Sequence, residues 1–154
     1  MIKAEQSLSI EAAVEDVWTY VRDMRSWANL LPGCRECLVL DEHNSRWVLK
    51  VGTGGLVRTV KVDVHVDEWS GPERVAFSFK LDGDPVEGAG VYSACRKGSR
   101  ETEVTLGVQV SGSGSLAPMW EAMSRPLLPM LARSFANRLK EEIEKACATS
   151  PVRL

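Results

Sequence analysis

Along residues 2–10 the apolar side chains Ile2, Ala4, Leu8 and Ile10 fall on one parity and Lys3, Glu5, Ser7 and Ser9 on the other. This period-two alternation is that of a strand with one buried face. The period then lengthens: Val14, Val17, Trp18 and Val21 stand at i, i+3, i+4 and i+7, which predicts an amphipathic helix over residues 12–22. Asp23 is placed to cap a second short helix carrying Trp27, Leu30 and Leu31, and Pro32-Gly33 ends it.

From Cys34 to Gly112 the pattern is all strand, broken by polar or glycine-rich turns at 41–45, 52–55, 70–73, 82–85 and 97–100. That spacing predicts a meander of about six strands. The clearest has Arg58, Val60, Val62, Val64 and Val66 on one face and Thr59, Lys61, Asp63, His65 and Asp67 on the other. The next repeats the alternation with Val75, Phe77, Phe79 and Leu81 inward, and a later one with Val104, Leu106, Val108 and Val110. Every connection is too short for a crossover, so the strands are antiparallel.

After Ser111-Gly112-Ser113-Gly114-Ser115 the chain turns helical to about Ala148, with apolar residues at Leu116, Met119, Trp120, Met123, Leu127, Met130, Leu131, Phe135 and Leu139. Pro126 and Pro129 each remove a backbone donor and crowd the preceding turn. They predict a kink, or a short helix to Ser124 followed by a long one from about Leu127. Residues 1–148 read as one α+β domain: a curled antiparallel sheet of about seven strands, two short helices after the first strand, and a long C-terminal helix across the sheet. Residues 149–154 read as a frayed tail.

Composition narrows the function. In 154 residues, 44% are hydrophobic and 26% charged, enough apolar material for a core and far from a disordered chain. With 19 basic against 21 acidic residues and a net charge of −2, there is no positive excess to neutralise a phosphate backbone, which argues against nucleic acid. No apolar run approaches the ~20 residues of a membrane-spanning helix. Met1 to Gln6 lacks the apolar core of a secretory signal, which leads us to expect a cytoplasmic protein with reduced cysteines.

Chemical candidates are few. Cys34 and Cys37 form a CxxC, but Cys95 and Cys147 are isolated in sequence and supply no second pair for zinc. The pair also leads into a strand instead of a helix N-terminus, so buried thiols are the simpler reading. His43 lies in a turn and His65 on a polar parity, which puts both in solvent, and the buried parities of the clearest strands carry no Asp or Glu. No metal site, cofactor or acid–base pair is therefore expected. Arg58 and Tyr92 are the two polar residues that can reach an interior. Arg58 would either neutralise a ligand oxygen or extend to water. The glycines at 52–55 lack the Lys-Ser/Thr of a phosphate loop and read as a hairpin turn, and those at 112–115 as flexible capping.

The segments Ile10 to Ala13, Val17-Trp18, Asp23, Trp27 and Leu31-Pro32-Gly33-Cys34 resemble the N-terminal signature of the helix-grip superfamily. This superfamily (START-like, SRPBCC) includes START lipid-transfer domains, birch-pollen-allergen-like proteins and polyketide cyclases. Together with Gly88-Ala89-Gly90, Gly114-Ser115-Leu116-Ala117 and Arg133-Ser134-Phe135, the Leu-Pro-Gly-Cys segment is most similar to the CoxG branch, whose members accompany carbon monoxide dehydrogenase. The resemblance implies a deep apolar cavity between sheet and last helix that holds a hydrophobic small molecule: a lipid, an isoprenoid or quinone-like compound, or a polycycle. It further implies an accessory role beside a molybdenum-containing dehydrogenase at the inner membrane face.

The residues that would line such a cavity are Trp47, Arg58, Val60, Val62, Val64, Phe77, Phe79, Tyr92, Leu106 and Val108 from the sheet, and Met119, Met123, Leu127 and Met130 from the helix. A methionine-rich wall adapts to varied apolar ligands. Two rival readings stand beside this carrier: an enzyme of the polyketide cyclase or aromatase type, with Tyr92 or Arg58 assisting proton transfer, and an interaction module whose interior is simply filled.

Overall fold

The computed structural model describes residues 2–53 and 56–148. The chain runs β1 (Ile2–Ile10), α1 (Val14–Val21), α2 (Met24–Leu30), β2 (Cys34–Val39), β3 (Asn44–Thr53), β4 (Leu56–Ser70), β5 (Arg74–Leu81), β6 (Val86–Gly98), β7 (Glu101–Gly112) and α3 (Ala117–Ala148). The seven strands form one antiparallel sheet in the order β1-β7-β6-β5-β4-β3-β2. From β2 to β7 each strand pairs with its chain neighbour, and β1 closes against β7 with Ile2 opposite Val110 and Ile10 opposite Thr102. The predicted α+β meander is observed, with α3 across the curled sheet.

Local chemistry explains the elements. Asp23 accepts a hydrogen bond from the Arg25 amide at 3.0 Å and so caps α2. Glu15 and Asp16 in the first turn of α1 complement the helix dipole. In β4, Val60, Val62, Val64 and Val66 are buried while Lys61, Asp63, His65 and Asp67 are exposed, as the alternation required. The predicted turn at 52–55 falls partly on Gly54 and Gly55, outside the described residues, as does the tail 149–154.

One expectation is corrected. The helix does not stop at Ser124 and restart at Leu127: α3 is continuous through Pro126 and Pro129. Each proline deprives one carbonyl of its i+4 donor. Those carbonyls belong to Ala122 and Arg125, both exposed residues, where water can replace the lost bond.

The buried residues form two clusters. The larger joins Ile10, Val17, Val21, Trp27, Leu30 and the inward valines of β4 to Tyr92, Val104, Phe135, Leu139 and Ile143. The smaller contains Ile2, Val86, Val110, Trp120 and Leu128. Phe79 and Leu81 pack against both.

Candidate functional site

The inward face of the sheet is set by register. Trp47 stands opposite Val62, Val64 opposite Phe79, Phe79 opposite Gly88, Phe77 opposite Gly90, and Val75 opposite Tyr92. Leu106 and Val108 continue this face on β7 beside Tyr92 and Gly90. Gly88 and Gly90 leave room for the two phenylalanine rings, which lie across β6 where side chains would stand. Trp47, Val60, Val62, Val64, Tyr92 and Leu106 are buried, whereas Phe77, Phe79, Leu81 and Val108 keep partial access to solvent. Among the described residues the inward positions of the strands carry no Asp, Glu, His or Lys, so the wall is apolar apart from Arg58, Tyr92, Gln6, Ser45, Thr102 and Arg96, which stands opposite Thr102 and bonds Glu15 of α1. Ser45 accepts the Trp47 indole N–H at 2.9 Å, and Thr102 donates to the Ala12 carbonyl at 2.8 Å.

Across this floor α3 presents Met123, Leu127 and Leu131, each half-buried. Met119 and Met130 are elsewhere: they are 46% and 49% exposed. At ~100° per residue both fall on the side opposite Leu128, Phe135 and Leu139, so the methionine wall shrinks to Met123. The row that packs down is Trp120, Leu128, Ala132, Phe135, Ala136, Leu139 and Ile143, of which the sequence periodicity had identified only Trp120, Phe135 and Leu139.

Trp27 occupies the middle of the grip. Its indole N–H donates to the Val21 carbonyl, and its ring meets Phe77 at 5.5 Å, Tyr92 at 6.2 Å and Phe135 at 5.5 Å between centroids. The space bounded by Tyr20, Val21, Trp27, Leu30, Tyr92, Phe135 and Leu139 is apolar and too narrow to admit a water molecule. The expected deep hollow is thus closed at this point. Tyr92 is fully buried, and among the described residues its hydroxyl has no hydrogen-bond partner. Burial pushes the Tyr92 pKa far above that of an ordinary phenol, which keeps the group a neutral donor.

At the other end of the floor Arg58 bonds both carboxylate oxygens of Asp84 at 3.0 Å and lies 5.3 Å over the Trp120 ring. It neither enters the core nor extends freely to water; it ties β4 to the β5–β6 turn and to the start of α3. Trp120 is buried, and its indole N–H has no partner among the described residues. Neither Trp27 nor Trp120 stood out as a site residue from sequence, because their roles arise from elements distant in the chain. The apolar spacing around each was one signal, and Trp27 also belongs to the segments that resemble the helix-grip signature.

The remaining candidates lie outside the grip. Cys34 and Cys37 are half-buried against the larger cluster, and burial raises the pKa of both thiols, the opposite of an activated pair. His43 and His65 are exposed. Among the described residues no group of three His, Cys, Asp or Glu side chains is arranged to hold a metal, and no helix is long and apolar enough to cross a membrane. A recess of about 320 Å³ lies on the sheet between Leu40, Asn44, Asp63, His65, Ser78, Lys80 and Glu87. These side chains have the outward parity, so the recess belongs to the opposite face.

Solved structures with the same fold span almost the whole chain. A conserved protein from Geobacillus kaustophilus superposes with a TM-score of 0.81 at 19% identity, over 94% of this chain and 97% of the other. The Zhui aromatase/cyclase from Streptomyces sp. R1128 gives a TM-score of 0.70 at 16% identity, over 97% of each chain. A START superfamily protein from Mycobacterium smegmatis gives 0.69 at 14% identity, over 91% and 98%. No protein of curated function matches the chain. The family model described as polyketide cyclase / dehydrase and lipid transport matches residues 1–144, and the chain belongs to that family.

Proposed function

We propose that this protein binds and carries a hydrophobic small molecule between the sheet and the N-terminal half of α3. One observation carries the reading: apolar residues at inward positions of β5 and on the N-terminal half of α3 remain partly exposed. Phe77, Phe79 and Leu81 on β5 and Met123, Leu127 and Leu131 on α3 all retain partial exposure, although the first three share the inward parity of a sheet whose neighbouring valines are buried. Apolar surface left partly wet between two elements is what a ligand would cover, at ~25 cal/mol per Å² before binding costs. The ligand class is a lipid, an isoprenoid or quinone-like molecule, or a polycycle. Its lining comprises Trp47, Val60, Val62, Val64, Phe77, Phe79, Tyr92, Leu106 and Val108 below, with Met123 and Leu127 above. Arg58 closes the outer end.

Motif likeness to the CoxG branch supports an accessory role beside a molybdenum-containing dehydrogenase and a peripheral place at the inner membrane face. An enzyme of the cyclase or aromatase type would need an inward acid or base. The inward groups are poor candidates: Arg58 is held by Asp84, and Tyr92 is a weakly acidic donor. The filled interaction module is favoured by the closed space beside Tyr92.

Titration with the neutral apolar fluorophore N-phenyl-1-naphthylamine separates these readings. A carrier yields saturable one-to-one enhancement, weakened at least tenfold in Leu127→Glu with the fold intact by circular dichroism. A filled module yields no saturable enhancement, and that result would remove the carrier reading.

A further inference from the structure

Tyr92 poses a specific problem. A fully buried hydroxyl in a native core ordinarily finds a partner, and each exception calls for a reason. Here the usual remedies are absent: no described residue offers an acceptor, and the adjoining space has no room for a water molecule. Phenylalanine would fill the same volume with no unpaired group. The surroundings also say what the missing partner is. Tyr20, Val21, Trp27, Leu30, Phe135 and Leu139 bound the space, and no unpaired cation faces it from the sheet, since the inward arginines among the described strand residues, Arg58 and Arg96, are bonded to Asp84 and Glu15. On the helix side Arg138 acts on Tyr20 but is outweighed by Glu142, so a carboxylate placed there would be buried without a net counter-charge. A neutral oxygen would not.

We infer that the ligand carries a neutral acceptor oxygen, such as a ketone, quinone, ester or ether, and that Tyr92 donates a hydrogen bond to it, making this residue the determinant that favours oxygenated apolar ligands over hydrocarbons. This rests on the carrier reading and adds to it. Access to the hydroxyl requires the Trp27 and Phe135 rings, now 5.5 Å apart, to separate, so binding and a movement of α2 against α3 occur together. Burial of Tyr92 supports the role, because a phenol kept protonated is always available as a donor.

The test uses benzophenone and diphenylmethane, which have nearly the same shape and differ in one carbonyl, titrated into the full chain and into Tyr92→Phe by calorimetry. The wild type is expected to prefer the ketone by roughly fivefold, the usual net effect of one hydrogen bond. In Tyr92→Phe the preference for the ketone disappears. The infrared carbonyl stretch of bound benzophenone is expected at lower frequency in the wild type than in Tyr92→Phe, a readout that altered packing alone does not give. Equal binding of both probes to the wild type, or an unshifted carbonyl band, overturns the role of Tyr92 and leaves the carrier reading standing. Binding of neither probe overturns both.

Discussion

The Phe77 ring lies where a side chain at Gly90 would stand: a Cβ built on Gly90 comes within 2.4 Å of Phe77 Cζ and 2.9 Å of the Gly107 carbonyl oxygen. Glycine at this position therefore sets the level of the floor. Gly88 holds Phe79 the same way, with contacts of 2.3 Å to Phe79 Cζ and 2.4 Å to the Gln109 carbonyl oxygen. Because a backbone carbonyl of β7 also crowds the position each methyl group would take, ring rotation alone cannot make room for it. Gly90→Ala is expected to cost about 1–3 kcal/mol in urea unfolding and to weaken apolar probe binding by pushing Phe77 towards α3. A fully stable variant with unchanged binding would contradict this geometry.

Trp27 joins α2 to the sheet and to α3 through its contacts with Phe77, Tyr92 and Phe135. Its truncation removes a buried indole and leaves the Val21 carbonyl without its donor. Trp27→Ala is expected to lose about 3–5 kcal/mol, measured by chemical denaturation. Trp69, half-buried and paired edge-on with Trp18 at 6.0 Å, is expected to lose less on the same change.

The Arg58–Asp84 pair is half open to water on the arginine side, with 53% of that side chain exposed. Solvent screening keeps such a pair weak, so a double-mutant cycle between Arg58→Gln and Asp84→Asn is expected to give a coupling below about 1 kcal/mol. The stacking on Trp120 adds a second small contribution, and Arg58→Lys is expected to lose it while retaining the charge.

Stability is expected to fall on the acid side. Hydrogen bonds from Arg96 to Glu15, Arg46 to Asp63 and Arg74 to Glu68 hold those carboxyl groups below their ordinary pKa values. A group whose folded pKa is depressed contributes fully above its unfolded pKa and loses that contribution as the pH drops through the folded one. The urea midpoint should therefore be flat from about pH 7 to 5 and decline below about pH 4.5. Asp63→Asn should make the decline shallower; an unchanged acid limb would show that the Arg46 bond does not persist in solution.

Much of the fold was legible because its strands divide water from oil cleanly. β4 alternates without error from Val60 to Val66, and Asp23 and Pro32-Gly33 mark both ends of α2. Less was legible in α3, where nearly every apolar residue matched some helical row. Periodicity could not tell that Met119 and Met130 belong to the outer side, because that depends on which face β1 and β7 cover. The break expected at the prolines is absent for a related reason: the cost of a lost donor depends on whether its carbonyl can reach water, a property of the folded surface. Tyr92 was singled out as a polar residue able to reach the interior, yet its lack of a partner is created by Trp27, Leu30, Phe135 and Leu139, which converge on it from α2 and α3.

The central claim is that a hydrophobic molecule occupies the grip. Native mass spectrometry of the protein purified from its own host, followed by organic extraction of what it carries, tests that most directly. We expect a mass excess of a few hundred daltons that is released on extraction as an apolar, oxygen-bearing compound. Bare protein that also fails to take up N-phenyl-1-naphthylamine would contradict the account.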